Sequence, residues 1–202
     1  MNENENGLAG KRFSMVKKRH AKTLDDAISC KKADELMIPL CRFISETKNY
    51  FTSSSCAGRI MLLDVLNEES KKDSSFHRKW HREVGFEELL EGINAKSNGM
   101  LWMRVEPFIM HLGCKDLEHA EKLLGIKNKA GIKRGGIILA GEGKFMIELT
   151  GTQYLSVPVK DKGSVLVDES YLKILLGIAN RKIAANYKRL EKFHALCKRH
   201  LE

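Results

Sequence analysis

The sequence predicts an α+β fold: a central mixed β-sheet flanked by helices, with a long C-terminal helix. Three observations predict it. Apolar runs of strand length, Ile60 to Leu66, Met100 to Val105 and Phe108 to Cys114, alternate with stretches of helical periodicity. Leu172, Leu176, Ala179, Ile183, Leu190, Cys197 and Leu201 recur at spacings of three, four or their sum, which places one apolar stripe along a single helix. No strand-like run leads into a convincing G-x-G-x-x-G, so a doubly wound nucleotide-binding sheet is not expected.

The elements follow in order. Residues 1–7 are acidic and polar and read as a flexible tail ahead of a single domain over 8–202. Lys11 to Thr23 reads as a basic helix with a thin apolar stripe of Phe13 and Val16. A second helix spans about Pro39 to Lys48, because proline fits a first turn where its missing N–H costs nothing. Tyr50 and Phe51, then a Ser-rich turn at Thr52 to Arg59, lead into the apolar run from Ile60, which suits a strand buried on both faces. Asn67 to Phe76 is polar and reads as a mobile loop, and Phe86 to Ala95 as a helix.

Glu106-Pro107 is expected to separate two strands, since proline donates nothing to a ladder. Asp116 is placed to cap a helix that Gly125 stops. Beyond the Gly-rich stretch 131–143, strands are expected at Phe145 to Leu149 and Tyr154 to Val159, with Gly141-Glu142-Gly143-Lys144 as a hairpin turn. Asp168 caps the last helix, which runs to about Leu201 and carries Arg181, Lys188, Lys192 and Arg199 on the face opposite its apolar stripe.

Bulk properties narrow the function. The net charge is +9 over 202 residues, an excess that favours a polyanionic partner through counterion release. No apolar run approaches the roughly 20 residues of a membrane helix. The start of the chain lacks the basic-then-apolar order of a signal peptide, so a cytoplasmic protein is expected. Five cysteines occur with no C-x-x-C pair and no zinc-type histidine spacing, which reads as reduced thiols and no metal.

Thr52 to Arg59 is the most unusual segment. Clustered hydroxyls and N–H groups, with Gly58 free to take φ > 0, make a donor surface for an anion or polar ligand, and Arg59 adds a forked charge. A plain turn whose hydroxyls cap backbone groups reads equally well. Ser54-Ser55-Cys56-Ala57-Gly58-Arg59 resembles the Ser-Ser-Cys-x-Gly-Arg signature of the tRNA wybutosine-synthesizing protein 3 family, whose archaeal members stand alone at about this length. Further family features follow in order: Lys79-Trp80-His81, Glu106-Pro107-Phe108-Ile109-Met110-His111, Gly131-Ile132-Lys133, Gly136-Ile137, Val157-Pro158-Val159, Gly163, Tyr171 and Ala179-Asn180. Ala57 and Gly135 depart from it, standing where serine is common.

The resemblance implies an S-adenosylmethionine-dependent methyltransferase, outside the Rossmann methyltransferase fold. Its reaction methylates N(4) of a 7-aminocarboxypropyl 4-demethylwyosine beside the anticodon of phenylalanine tRNA. On that reading Ser54, Ser55, Gly58, Arg59 and Lys133 bind the cofactor, and His81, Glu106 and His111 are candidates for the departing proton. Trp80, set among basic residues, is expected to stack on the base, while Trp102 reads as core. Lys17, Lys18 and Arg19, with Arg181, Lys188 and Lys192, are expected to hold the tRNA backbone. Cys56 is read as a structural thiol, since a sulfonium methyl needs no covalent intermediate. The alternative is a non-catalytic basic module that presents the modified base to partner enzymes.

Overall fold

A computed structural model describes residues 3–66, 74–141 and 143–201. The chain packs into two compact units. The first comprises Met1–Ala57, Phe108–Thr152 and Lys188–Glu202, and the second Gly58–Pro107 and Gln153–Tyr187. The α+β class is as expected, and seven strands belong to one sheet. The strand pairings resolved among the described residues are antiparallel, which corrects the mixed sheet expected from the sequence. Neighbours such as the two pairs joined at Gly143 and Gly163 are hairpins and need no crossover.

The first unit opens with α1 (Glu3–Ser29), so the helix already includes residues 3–7 of the stretch read as a tail; Met1 and Asn2 lie outside the described residues. A single 3₁₀ turn at Glu35–Met37 leads to α2 (Ile38–Glu46), with Pro39 in its first turn as expected. Phe13, Phe51 and Met146 form a buried cluster with Val16 against it, and the His20 ring stacks on Phe51 at 4.8 Å. The Lys17 ammonium donates to the carbonyls of Ser45 at 2.5 Å and Tyr50 at 2.6 Å. Ser45 sits in the last turn of α2, where carbonyls lack helical partners and the helix dipole favours a cation.

The Ser-rich segment is not a turn. It lies inside one long strand, β1 (Tyr50–Val65). The hydroxyls of Thr52, Ser54 and Ser55 meet side chains on other elements, those of Ser45, His111 and Cys41, rather than their own backbone. Gly58 takes a φ of +90°, and the pairing register of the strand shifts again between Leu62 and Leu63. Likewise β3 (Met100–Cys114) passes straight through Pro107. Its pairing with β6 (Leu155–Asp161) covers Leu101 to Val105, and its pairing with β5 (Lys144–Thr150) covers Ile109 to Cys114. The proline falls where the ladder changes partner, so its missing N–H interrupts neither of these two pairings.

In the first unit α4 (Leu117–Ala130) starts at Asp116, whose carboxylate accepts from the His119 N–H at 3.0 Å. The helix continues through Gly125 and ends at Gly131 with φ of +80°, the residue that takes the left-handed cap. β4 (Arg134–Gly141) lies in the stretch read as a Gly-rich connection and pairs with β5 through the expected hairpin at Gly141 to Lys144; Glu142 lies outside the described residues.

The second unit holds β2 (Ser74–Trp80), α3 (Phe86–Asn94), β6, β7 (Ser164–Val165) and the first part of α5 (Glu169–His200). Residues 67–73 of the expected loop lie outside the described residues, and Ser74 to Phe76 belong to β2. Ile60, Leu62, Leu101, Met103, Val105 and Val159 turn one sheet face onto Leu89 and Ile93 of α3 and Leu172 to Ile183 of α5. All seven residues of the predicted α5 stripe are buried. Asp64 accepts from the N–H groups of Asn98 and Gly99, both at 2.8 Å. Lys160, 5% exposed, donates to the carbonyls of Ile93 and Ala95 at the end of α3, as Lys17 does for α2.

Candidate active site

Ser54, Ser55, Ala57 and Arg59 of the signature segment each meet a different partner. In the first unit, the Ser54 hydroxyl lies 2.8 Å from His111 Nδ1, and His111 Nε2 lies 3.0 Å from Glu148 Oε2. His111 and Glu148 are directly opposed across β3 and β5, so the register of the sheet sets this contact. With Glu148 accepting from Nε2–H, Nδ1 carries the lone pair and Ser54 donates to it. A hydroxyl, an imidazole and a carboxylate thus form one line of proton-conducting groups, each partly exposed.

Ser55 faces the other way, onto Cys41 of α2, with Sγ···Oγ at 3.1 Å. Burial pushes the Cys41 thiol above its ordinary range. Ala57 is fully buried and its N–H donates to Asp34 Oδ2 at 2.7 Å, while Asp34 Oδ1 accepts from Leu36 N at 3.3 Å. That carboxylate therefore ties the strand to the 3₁₀ turn. A cavity of about 220 Å³ opens here, lined by Thr52 to Ser55, Lys32, Asp34, Thr23 and the apolar side chains of Leu24, Met37 and Ile38. Ser54 belongs both to this wall and to the His111 line.

In the second unit, Arg59 donates from Nε at 2.9 Å and from Nη2 at 2.7 Å to one oxygen of Glu106. Its guanidinium also lies 4.8 Å from the Phe76 ring centroid. The fork read as an anion binder is thus engaged by a carboxylate of the chain itself. The same pairing engages Glu106, one of the three proton-acceptor candidates.

A family model described as Methyltransferase TYW3 matches residues 13–199. The chain belongs to that family. Two of its relatives are named tRNA(Phe) 7-((3-amino-3-carboxypropyl)-4-demethylwyosine(37)-N(4))-methyltransferase, the second with the suffix 1. The first, from Thermococcus sibiricus, is 35% identical over 92% of this chain and 94% of its own length. The second, from Pyrococcus horikoshii, is 36% identical over 91% and 96%. The solved structure titled PH1069 protein from Pyrococcus horikoshii superposes with a TM-score of 0.88 at 33% identity, covering 92% of this chain and 96% of that one. Membership in the TYW3 family makes the chain an enzyme, which sets aside the silent presenting module.

Against that family reading, the structure sorts the expected site residues. Ser54 and Ser55 line the cavity, whereas Gly58, Arg59 and Lys133 do not; Lys133 is exposed just ahead of β4. His111 has both ring nitrogens placed, while half-buried His81 follows β2 in the second unit. Trp80 corrects its expectation. It is 7% exposed within the second unit's core, and its indole N–H donates to Glu88 at 2.7 Å. β2 alternates faces, so a basic neighbourhood in sequence says nothing of the Trp80 side.

Trp102 is half-exposed rather than core, with the Arg104 guanidinium 5.4 Å from its ring centroid. Lys17 is spent on α2; Lys18, Arg19, Arg181, Lys188 and Lys192 are exposed. Gly135 explains its own departure from the family: its φ is +111°, and a Cβ there would lie 2.1 Å from the Glu148 carbonyl oxygen. Glu148 and Asp34 were missed by sequence reasoning. Glu148 had a signal, a single carboxylate inside the otherwise apolar run 145–149.

Proposed function

We propose that this protein methylates N(4) of a 4-demethylwyosine derivative bearing a 3-amino-3-carboxypropyl chain in phenylalanine tRNA, with S-adenosylmethionine as donor, in the cytoplasm. The observation that carries the reading is Ser54, which joins the cavity wall to the His111–Glu148 pair in a chain of the TYW3 family.

The cavity fits one end of the donor. Lys32 offers a cation for a carboxylate, the hydroxyls of Thr23 and Thr52 to Ser55 suit polar groups, and Leu24, Met37 and Ile38 give an apolar wall. Its volume of about 220 Å³ lies below the roughly 300 Å³ at which small-molecule sites begin, so it holds part of that molecule rather than the whole. Both carboxylate oxygens of Asp34 already accept backbone N–H groups, so Asp34 shapes the wall instead of reaching outward. When bound, S-adenosylmethionine supplies an electrophilic methyl group.

The chain's own task is then to position the nucleophilic nitrogen and to accept a proton. Ser54 donates to His111, which leaves its oxygen lone pairs to accept from a substrate N–H. The proton passes through the hydroxyl to Nδ1, and Glu148 stabilises the imidazolium that results.

The test compares Ser54→Ala, His111→Asn and Glu148→Gln. We expect kcat to fall by on the order of 100-fold for His111→Asn, the scale of one general base, and by less for Glu148→Gln. Calorimetric S-adenosylmethionine affinity should stay unchanged in Glu148→Gln, which touches no cavity residue except through His111. Full activity in His111→Asn removes the relay and leaves the family reaction standing.

A further inference from the structure

The first unit gathers lysines from three separate parts of the chain around one groove. Lys18 comes from α1, Lys48 and Asn49 from the turn between α2 and β1, and Lys115 from the turn between β3 and α4. Phe13 and Ser14 of α1 complete the lining of a space of about 520 Å³. The Lys115 N–H donates to the Asn49 carbonyl at 3.1 Å, which fixes the two turns to each other. Lys18, Lys48 and Lys115 are exposed, and among the described residues none of those lining the groove is acidic. The nearest acid in sequence, Asp116, is occupied: it accepts from the His119 N–H and lies 2.5 Å from His119 Nδ1. Lys17 also lines the groove, but its ammonium is bound to the carbonyls of Ser45 and Tyr50.

We infer that this groove is where the RNA backbone crosses the first unit, with Lys18, Lys48 and Lys115 meeting successive phosphates. The inference rests on the proposed tRNA substrate and names a contact surface for it. Three ammonium groups on flexible stems, with no arginine fork and no fully buried donor, are a poor clamp for one small anion. They suit a chain of phosphates met by several point charges, each releasing condensed counterions. The sequence places Lys18 beside Lys17 and Arg19 on one basic helix; the fold sends Lys17 inward and pairs Lys18 with lysines 30 and 97 residues further along.

The experiment is tRNA binding by the full chain across a potassium chloride series, for the parent, Lys48→Glu/Lys115→Glu and Lys48→Ala/Lys115→Ala. Both pairs sit at exposed positions, and unchanged melting confirms folding. We expect the log–log salt slope to fall by about two units, and affinity near 0.1 M salt to fall roughly 10- to 60-fold. S-adenosylmethionine affinity should not change. Parent-like slope and affinity in both variants would overturn the groove assignment while the parent still binds tRNA. A parent that binds no tRNA at any salt overturns the substrate reading as well. Displacement of tRNA by inorganic phosphate at matched ionic strength reassigns the groove to a small phosphoester and sinks the RNA inference.

Discussion

Lys17→Met separates a lysine that holds the fold from one that holds RNA. The ammonium makes two short bonds to carbonyls, at 2.5 and 2.6 Å, one of them in the last turn of α2. A hydrogen bond from a charged donor contributes about 1.5–3 kcal/mol. Burial lowers the Lys17 pKa from its ordinary value, so desolvation takes back part of that gain. Methionine keeps the apolar stem but leaves two carbonyls without their donor. The net loss is then about 2–3 kcal/mol, which for a chain of this size lowers the melting temperature by roughly 5–10 °C. Urea and thermal unfolding measure it, and a tRNA salt titration on the same sample measures the other half of the claim. The salt slope should match the parent. Parent-like stability together with a slope reduced by about one unit would show that Lys17 grips phosphate and that its two carbonyl bonds carry no weight.

Two more outcomes follow from the packing and the caps. In Gly113→Ala the new Cβ would lie 2.0 Å from the Phe51 ring, which is fully buried with Phe13 and His20 around it, so the urea midpoint should drop by the equivalent of about 1–3 kcal/mol. Adding Phe51→Leu should offset part of that loss in a double-mutant cycle, and strict additivity would contradict the clash. Burial alone would raise the Asp116 carboxyl, but the His119 N–H and ring hold it below its ordinary 3.8; the Ser170 hydroxyl and Tyr171 N–H do the same for Asp168. A depressed folded pKa adds stability that is present above 3.8 and lost as pH falls through the folded value, so acid unfolding should set in below about pH 4 and be shallower in Asp116→Asn. An acid limb identical to the parent's would remove that cap's contribution.

Most of the helices were legible because their signals are local and additive. The α5 stripe needs only spacing, and the Asp116 and Asp168 caps need only a carboxylate ahead of an apolar run. Breakers were over-read. Pro107 and Gly125 stop an element only when their missing group is needed there, and both sit where the surrounding contacts do without it. Segment composition also misled at Thr52 to Arg59, where hydroxyls bond to residues remote in sequence. The site was half legible. Ser54 and His111 were named separately, but nothing in the chain says that they meet, because that contact depends on strand order and register. Trp80 and Lys17 failed for the same physical reason: the sign of nearby charges does not report which way one side chain points.

The activity proposed for this protein is methyl transfer to one base of one tRNA. The most direct measurement incubates the purified protein with S-adenosylmethionine and phenylalanine tRNA carrying the 4-demethylwyosine derivative with its aminocarboxypropyl chain, then reads the isolated nucleoside by mass spectrometry. The expected result is a gain of one methyl group, located on the tricyclic base at N(4), and greatly reduced in His111→Asn. A nucleoside of unchanged mass, from tRNA that the protein binds, would contradict it.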